Sequence, residues 1–476
     1  MTINQIVLIS PPDERLLEYS KKEPLSLSPP LGLAYLAAYL RSKGKTVHLV
    51  DGNAEEMTVD GVCEWIKENH PEIVGICVFT SLVKTACTLA TRIKEVSRGT
   101  ILVAGGPHIS SMAKDFLLNC RDFDFAVRRE GEGTLDELVN CLSSGGDPRE
   151  VQGITFIDKV TGQIVATPDR AFIDDLDSLP MPAYDLLPMQ KYSAPQVLGG
   201  VRPFSEIVTS RGCPFHCHYC SSHLGWSRMQ RRRSPANIVQ EISELHHKYG
   251  VNAIRFEDDL FTLKKDWAHA VCDAIIEKGL NRIKWEANTR IGTFDLDILR
   301  KMKKAGCVSV AFGIEFGNQQ IMDFAKKGIK VSDVAPAVAT IKKAGLRCKG
   351  YFMMGYPNET RETIEDTIRL ANTCGVNYAV FSVVTPYVGT ELFQYCEENN
   401  LLRHKEWDKY QFGITRERPI RMLYITDDEL DELYRRANRE FYMSPRRIVD
   451  YLIHHPSLMF RMAAQKSRIM LKGLIS

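Results

Sequence analysis

The sequence has no apolar run long enough to cross a membrane and almost no excess of charge. Its longest apolar run, Leu31 to Leu40, is far shorter than the roughly 20 residues that a membrane-spanning helix needs. Its 61 basic and 59 acidic side chains leave a formal net charge of +2, which provides no broad positive surface for nucleic acid. The first residues lack the basic start of a secretory signal and are typical of a buried strand. We therefore expect a globular protein of the cytoplasm with no nucleic-acid partner.

The 13 cysteines form no pattern typical of a disulfide framework. Their number is odd and no export signal precedes them, so reduced thiols or metal ligands are favoured. Three of them, Cys213, Cys217 and Cys220, lie close together in the sequence. The others stand singly, and we interpret each as a small buried hydrophobic residue: Cys63, Cys77, Cys87, Cys120, Cys141, Cys272, Cys307, Cys348, Cys374 and Cys396.

A chain of 476 residues exceeds a single hydrophobic core and is expected to form two or three domains. Residues 1–145 alternate short apolar runs with helical patterns, which predicts an α/β domain with a doubly wound, Rossmann-like parallel sheet. No G-x-G-x-x-G motif follows the first strand, where Ser10-Pro11-Pro12 stands instead, so a dinucleotide site is not indicated. Ligands of such sheets bind beyond the carboxyl ends of the strands.

The rest of the chain divides into three segments. Residues 146–200 are rich in turn residues and predict a linker with one hairpin, from Gly153 to Val165. Residues 201–400 contain six strand–helix repeats, which predict an open, partial (β/α)6 barrel similar to part of a TIM barrel. Residues 401–476 have a helical and basic pattern. We interpret them as a helical cap on the barrel; an interfacial helix that contacts a membrane or a lipid is the alternative.

The clustered cysteines follow the first predicted barrel strand with the spacing C-x3-C-x2-C. Three thiolates on one tight loop can hold three irons of a [4Fe–4S] cube, which leaves the fourth iron open to a ligand. The alternative is a structural zinc with one histidine as the fourth ligand. Three histidines are candidates for that ligand: His216, His218 and His223. The position of the loop between a strand and a helix favours the iron–sulfur interpretation.

This motif, with the aromatic Tyr219 before its last cysteine, resembles the radical S-adenosylmethionine (SAM) superfamily over residues 200–400. The resemblance implies that SAM chelates the open iron and that one electron cleaves it to a 5′-deoxyadenosyl radical. It also implies SAM contacts at six positions. Tyr219 lies beside the adenine, Glu257 belongs to an acidic loop, Arg290 pairs with the SAM carboxylate, and Glu315 reaches SAM. Gly355 and Pro357 belong to the segment beside the adenine.

The first domain resembles the cobalamin-binding domain that precedes the barrel in one branch of this superfamily. The resemblance implies that the loops after its strands hold the corrin, with five candidate contacts: Ser81, Leu82, Gly105, Gly106 and His108. The stretch Glu130-Gly131-Glu132-Gly133 is also similar to this branch. The motif D-x-H-x-x-G, whose histidine ligates cobalt in other cobalamin domains, does not occur. The lower face of the cobalt is therefore expected to be open or filled by water, with His108 as an alternative ligand.

The branch includes the anaerobic magnesium-protoporphyrin ester cyclase and cobalamin-dependent methyltransferases. The resemblance implies a radical methyltransferase that acts on an unactivated carbon of a small-molecule or lipid substrate. A flavodoxin or ferredoxin is the implied reductant. An oxidative cyclase or rearrangement enzyme of a tetrapyrrole, lipid or other secondary metabolite is the alternative. Four basic residues past the cysteines either contact an anionic ligand or belong to a solvated loop: Arg228, Arg231, Arg232 and Arg233.

Overall fold

The computed structural model describes residues 3, 5–15, 26–404, 418–445 and 447–449. Its first sheet has the strand order β2-β1-β3-β4-β5-β6-β7, in which the first five strands are parallel and the last two are antiparallel. These strands are β1 (Gln5–Ser10), β2 (Thr46–Asp51), β3 (Ile73–Cys77), β4 (Ile101–Gly105), β5 (Phe125–Val127), β6 (Ile154–Ile157) and β7 (Ile164–Ala166).

Helices cover both faces of this sheet, because successive apolar residues of its strands point to opposite sides. In β1, Val7 and Ile9 belong to one buried cluster, whereas Ile6 and Leu8 belong to another. The helices are α1 (Leu31–Ser42), α2 (Val59–Asn69), α3 (Val83–Val96), α4 (Pro107–Asn119) and α5 (Glu132–Ser144). The predicted doubly wound α/β fold is confirmed. The predicted hairpin of the linker adds β6 and β7 to the edge of this sheet, and α4 was not predicted.

The second sheet consists of six parallel strands in the order β15-β14-β13-β12-β11-β8, which confirms the open barrel. These strands are β8 (Ser205–Ile207), β11 (Ala253–Phe256), β12 (Lys284–Thr289), β13 (Cys307–Glu315), β14 (Arg347–Met354) and β15 (Tyr378–Val383). A separate antiparallel pair joins β9 (Ser210–Arg211) to β10 (Arg231–Arg232). The helices are α6 (Ser222–Trp226), α7 (Pro235–Tyr249), α8 (Lys265–Glu277), α9 (Leu296–Lys304), α10 (Gln319–Phe324), α11 (Val334–Lys343), α12 (Arg361–Thr373) and α13 (Glu391–Glu398).

The C-terminal part that the structure describes is a helix, α14 (Asp427–Tyr442), which packs on the barrel. Its Phe441 ring lies 6.1 Å from that of Phe381, and the Tyr442 hydroxyl donates a hydrogen bond to the Ala379 carbonyl at 2.5 Å. The expected helical cap is therefore present here. Residues 450–476, on which the interfacial-helix alternative depends, lie outside the described residues. Within the described ranges, no helix has the length and apolar character that a membrane span requires.

Eight of the single cysteines are free, and two form a disulfide. Cys63, Cys272, Cys307, Cys348, Cys374 and Cys396 are free and buried, as expected of small hydrophobic residues, and Cys77 and Cys141 are free and partly exposed. Cys87 and Cys120 form a disulfide with their Cα atoms 5.4 Å apart, so the expectation of free thiols is wrong for this pair. It failed because α3 and the end of α4, which bring them together, are distant in sequence.

Candidate functional site

The cysteine loop begins at a turn that the Asp258 carboxylate fixes. Asp258 is fully buried and accepts hydrogen bonds from the backbone N–H groups of Thr209, at 2.7 Å, and Ser210, at 2.8 Å. Burial raises the pKa of Asp258 to about 6, although its hydrogen bonds act in the opposite direction. Gly212 follows with φ of +102°, and a Cβ there would lie 2.3 Å from the Met229 carbonyl oxygen. Only glycine fits this position.

The thiols of Cys213, Cys217 and Cys220 are free and partly exposed. Burial raises the pKa of Cys220 to about 11, and the Asp259 charge adds to that shift, so this thiol keeps its proton until a metal displaces it. Among the described residues, no three Cys, His, Asp or Glu side chains lie in an arrangement that could bind one metal ion. His218, one candidate zinc ligand, is instead buried with its Nδ1 atom 2.8 Å from the Tyr356 hydroxyl.

Arg290, the residue expected to pair with the SAM carboxylate, lies beside the cysteine loop. Its Nη1 atom is 3.7 Å from the Cys217 sulfur, and its guanidinium lies 3.9 Å from the centroid of the Phe215 ring. Arg290 as a whole is only 6% exposed. It therefore places a permanent positive charge next to the thiols, where a cluster and a carboxylate ligand of its open iron both carry negative charge.

Tyr219 and Glu315 meet at Lys327, a residue that sequence reasoning missed. The Lys327 ammonium lies 2.8 Å from Glu315 Oε1 and 3.2 Å from the Tyr219 hydroxyl, and both charged side chains are less than 10% exposed. Glu315 has a φ of +70°, and a Cβ on Gly313 would lie 2.0 Å from its carboxylate. A side chain at position 313 would therefore displace the Glu315 carboxylate and the Lys327 ammonium from this pairing. No sequence signal distinguishes Lys327 from its neighbour Lys326, which is exposed and pairs with Glu391.

The segment that contains Gly355 and Pro357 is held in a tight turn. Glu359 is fully buried and accepts hydrogen bonds from the backbone N–H groups of Gly355, at 2.7 Å, and Tyr356, at 2.8 Å. Burial raises the pKa of Glu359 to about 8. Gly355 has a φ of +89°, and the Pro357 carbonyl accepts a hydrogen bond from Leu423 at 2.9 Å. Glu359 therefore shapes the segment expected beside the adenine, a role that its place in the motif did not reveal.

A cavity of about 500 Å³ separates the carboxyl ends of β1, β3, β4 and β5 from the mouth of the barrel. Most of its wall is apolar side chain and backbone. The first domain contributes Leu36, Phe79, Gly105 and Gly106, and the barrel side contributes Leu224, Trp226 and Glu257. Gly106 has a φ of +102°, and a Cβ there would meet the backbone of Val78 at 3.1 Å. A smooth apolar wall of this kind suits a large flat ring.

The five residues expected to contact cobalamin do not all reach this cavity. Gly105 and Gly106 line it, whereas Ser81, Leu82 and His108 are not among the described residues that do. His108 is placed in the first turn of α4, buried, with its Nδ1 atom 3.2 Å from the Thr80 hydroxyl oxygen. Burial lowers the pKa of His108 to about 4, which keeps the ring neutral.

Glu257 lines the cavity and forms an ion pair with Arg255. Arg255 also pairs with Glu206, another residue of the cavity wall. The adjacent Asp259 accepts a hydrogen bond from the Ser222 hydroxyl at 2.6 Å, next to Cys220. The three acidic residues after β11 thus differ in their contacts. Glu257 pairs with an arginine, Asp258 is buried against the backbone, and Asp259 binds a serine hydroxyl.

Two of the basic residues past the cysteines are buried in ion pairs. Arg231 contacts both oxygens of Glu130 at 2.9 Å, and Arg233 pairs with Glu241. Neither interpretation of these two arginines was right, because each is neutralised by a carboxylate of this chain. Arg228 donates a hydrogen bond to the Phe215 carbonyl at 2.9 Å.

A loop of three free thiols at the mouth of a six-stranded parallel barrel, facing a doubly wound domain across an apolar cavity, defines a radical SAM enzyme with a cobalamin-binding domain. Two family models match the chain: "Radical SAM superfamily" over residues 207–371 and "B12 binding domain" over residues 23–139. The chain therefore belongs to the cobalamin-binding radical SAM enzymes. Its cofactors are a [4Fe–4S] cluster, SAM and cobalamin.

Similar proteins support this assignment over most of the chain. An uncharacterized methyltransferase of Pyrococcus horikoshii, PH0819, is 38% identical over 463 residues, which cover 97% of this chain and 98% of that one. The anaerobic magnesium-protoporphyrin IX monomethyl ester cyclase of Cereibacter sphaeroides is 30% identical over 435 residues, 90% of this chain and 68% of that one. The fold is similar to that of TsrM, a radical SAM methyltransferase from Kitasatospora setae with cobalamin and a [4Fe–4S] cluster bound. The TM-score is 0.69 at 19% identity, covering 84% of this chain and 78% of TsrM.

Proposed function

We propose that the protein transfers a methyl group from SAM, by way of cobalamin, to an unactivated carbon of a small polar substrate. The observation that carries this proposal is the shared cavity. One wall belongs to the cobalamin-binding domain, at Gly105 and Gly106, and the opposite wall belongs to α6, which begins two residues after Cys220. A corrin bound in this cavity would lie next to the cysteine loop, so that both cofactors could act on one substrate.

The residues of this chain bind and orient these groups. The bound cluster, SAM and cobalamin supply the electron transfer, the carbon radical and the methyl group. Cys213, Cys217 and Cys220 would hold three irons of the cluster, and the fourth iron would be left for SAM. Glu315, paired with Lys327, and Arg290 provide charges of both signs for the amino and carboxylate groups of SAM. The Gly355 turn provides a close backbone approach for the adenine.

The inner face of the barrel supports a polar substrate. Arg255 on β11, Glu286 on β12 and Lys349 on β14 share this face, and the Lys349 ammonium lies 2.9 Å from Glu286 Oε1. The other oxygen, Glu286 Oε2, is buried and makes no hydrogen bond within the described structure. Because charged groups placed against hydrocarbon are unfavourable, the charges of this face favour a substrate with amino, amide or hydroxyl groups over a hydrocarbon lipid. A small redox protein such as flavodoxin or ferredoxin is the proposed reductant.

An oxidative cyclase is the second candidate, since the Cereibacter sphaeroides cyclase is 30% identical to this chain. The two reactions differ in how they consume SAM. Radical methylation forms S-adenosylhomocysteine when SAM donates its methyl group and 5′-deoxyadenosine when SAM donates the radical. A cyclase needs SAM only for the radical and forms no S-adenosylhomocysteine.

The test uses the full chain, reconstituted without oxygen with iron, sulfide and hydroxocobalamin, then reduced and given SAM with a trideuterated methyl group. Reduced cobalamin is the methyl acceptor in this mixture, so formation of trideuteromethylcobalamin with an equal amount of S-adenosylhomocysteine, alongside 5′-deoxyadenosine, supports the methyltransferase. Formation of 5′-deoxyadenosine alone, with and without cobalamin, contradicts methyl transfer and favours the cyclase. The variant Cys217→Ala, which lacks a cluster ligand, is the control for chemical breakdown of SAM.

A further inference from the structure

The cysteine loop is the connection of a two-stranded hairpin whose base brings two positive charges together. β9 and β10 pair antiparallel, with Arg211 directly opposite Arg231, and residues 212–230 form the loop between them. This loop contains the three cluster cysteines and α6. Like charges directly opposite each other on paired strands destabilise the pairing. The pairing of β9 with β10 at the base of the cysteine loop therefore requires a negative charge beside these two arginines.

The counter-charge comes from the cobalamin-binding domain. Glu130 Oε1 lies 2.8 Å from Arg211 Nη1 and 2.9 Å from Arg231 Nη1, so one carboxylate bridges both arginines. Glu132, in the first turn of α5, pairs with the second nitrogen of Arg211 at 2.7 Å. Each of these four side chains is at most 6% exposed. Two carboxylates thus neutralise two guanidinium groups, and all four side chains are almost fully buried.

The same group of residues also holds the linker and the cavity wall. The Glu130 carboxylate accepts a hydrogen bond from the Ile173 backbone N–H at 2.7 Å, and Arg231 donates to the Trp226 carbonyl at 2.8 Å. The Arg211 guanidinium lies 4.8 Å from the centroid of the Trp226 ring. Glu130, Glu132, Arg211 and Trp226 all line the cavity between the domains. The hairpin base, the end of α6 and the first domain therefore meet at one point.

We propose that Glu130 is a positioning residue: it closes the base of the cluster loop by neutralising Arg211 and Arg231, and so makes the position of the cluster dependent on the cobalamin-binding domain. Glu132 assists by pairing with Arg211. Without Glu130 the two guanidinium groups repel each other across the hairpin, and the loop opens at the end that leads directly to Cys213. This dependence of one cofactor site on the other domain goes beyond the transfer reaction and holds whichever reaction the enzyme performs.

The test compares Glu130→Gln with a matched control, Glu241→Gln. Glu241 is 1% exposed and pairs with Arg233, which does not belong to the hairpin pair. Both variants remove one buried carboxylate from an arginine. The full chains are reconstituted with iron, sulfide and hydroxocobalamin. Iron per chain is measured, and the magnetic coupling between the reduced cluster and cob(II)alamin is read from their electron paramagnetic resonance signals. We expect Glu130→Gln to lose iron and the coupling, and Glu241→Gln to keep both.

A second substitution tests the charge argument itself. In the double variant Glu130→Gln/Arg231→Gln, the repulsion across the hairpin is absent, so we expect iron content and coupling to recover above those of Glu130→Gln alone. If Glu130→Gln fails to fold, Glu132→Gln is measured, since it keeps the Glu130 bridge and is expected to weaken the coupling only in part. Three results would overturn the proposal: wild-type signals in the carboxylate variants, equal losses in Glu241→Gln, or no recovery in the double variant.

Discussion

The substitution Glu359→Gln is expected to stabilise the protein, and to do so only at high pH. Glu359 accepts two backbone hydrogen bonds with Oε2, while Oε1 makes none within the described part of the chain. An amide has the same shape as the protonated acid and keeps one oxygen for both backbone N–H groups. The variant therefore retains the turn at Gly355 and removes only the ability to ionise.

The magnitude follows from the pKa of Glu359, which burial raises from 4.5 to about 8. The folded protein thus holds this proton more tightly than the unfolded chain, so stability falls as the pH rises between these two values. Each unit of pKa corresponds to about 1.4 kcal/mol, which sets an upper limit of roughly 5 kcal/mol for ionised Glu359. Below pH 4.5 both states are protonated and the cost is absent.

Melting temperatures of the chain without cofactors, measured at about pH 5 and about pH 8.5, check this reasoning because the two values bracket most of the titration. We expect wild type and Glu359→Gln to melt alike at the lower pH and the variant to melt several degrees higher at the upper pH. Glu362→Gln, at an exposed position in the first turn of α12 just after Glu359, is the control for a general loss of charge. An equal difference at both values would refute the argument, as would a variant less stable than wild type at the upper pH.

Three further predictions concern the cofactor sites. Cys217→Ala is expected to reduce iron content to that of an unreconstituted chain, which metal analysis measures, because two thiolates do not retain the cube. Lys327→Met leaves Glu315 buried without its partner and should lower the free energy of unfolding by about 3–5 kcal/mol. Because SAM brings a new ammonium group to Glu315, the rise in melting temperature on adding SAM should be larger for this variant than for wild type. A smaller rise would contradict this role of Glu315. Gly106→Val places a branched side chain at positive φ against the Val78 backbone, where strain of about 1–3 kcal/mol is typical, so cobalamin absorbance per chain should fall while iron content stays unchanged.

The sequence predicted the two sheets well because most of their strands are parallel and contain several buried apolar residues. Such strands appear as short apolar runs between helices, and β3 and β4 are examples. The sequence did not predict α4, which begins at Pro107 directly after the Gly105-Gly106 pair. The pair was interpreted as part of a loop that contained His108. A proline at the first position of a helix was the available signal.

The side chains that shape the site were harder to predict than the ligands themselves. The cysteines lie in one local motif, whereas Asp258 acts on Thr209 across 49 residues and Lys327 reaches Tyr219 across 108 residues. Partners at such distances are set by the tertiary fold. The same reason explains Arg231, whose carboxylate partner Glu130 lies 101 residues away in another domain.

The loop between β9 and β10 also bears on how the enzyme is assembled in the cell. The cysteines and α6 lie on one connection, and α6 lines the cavity. We therefore expect iron insertion to fix the surface that faces the corrin. We therefore expect the iron–sulfur cluster to be installed before cobalamin binds. Exposure to air destroys such a cluster, and it would then release the cobalamin as well.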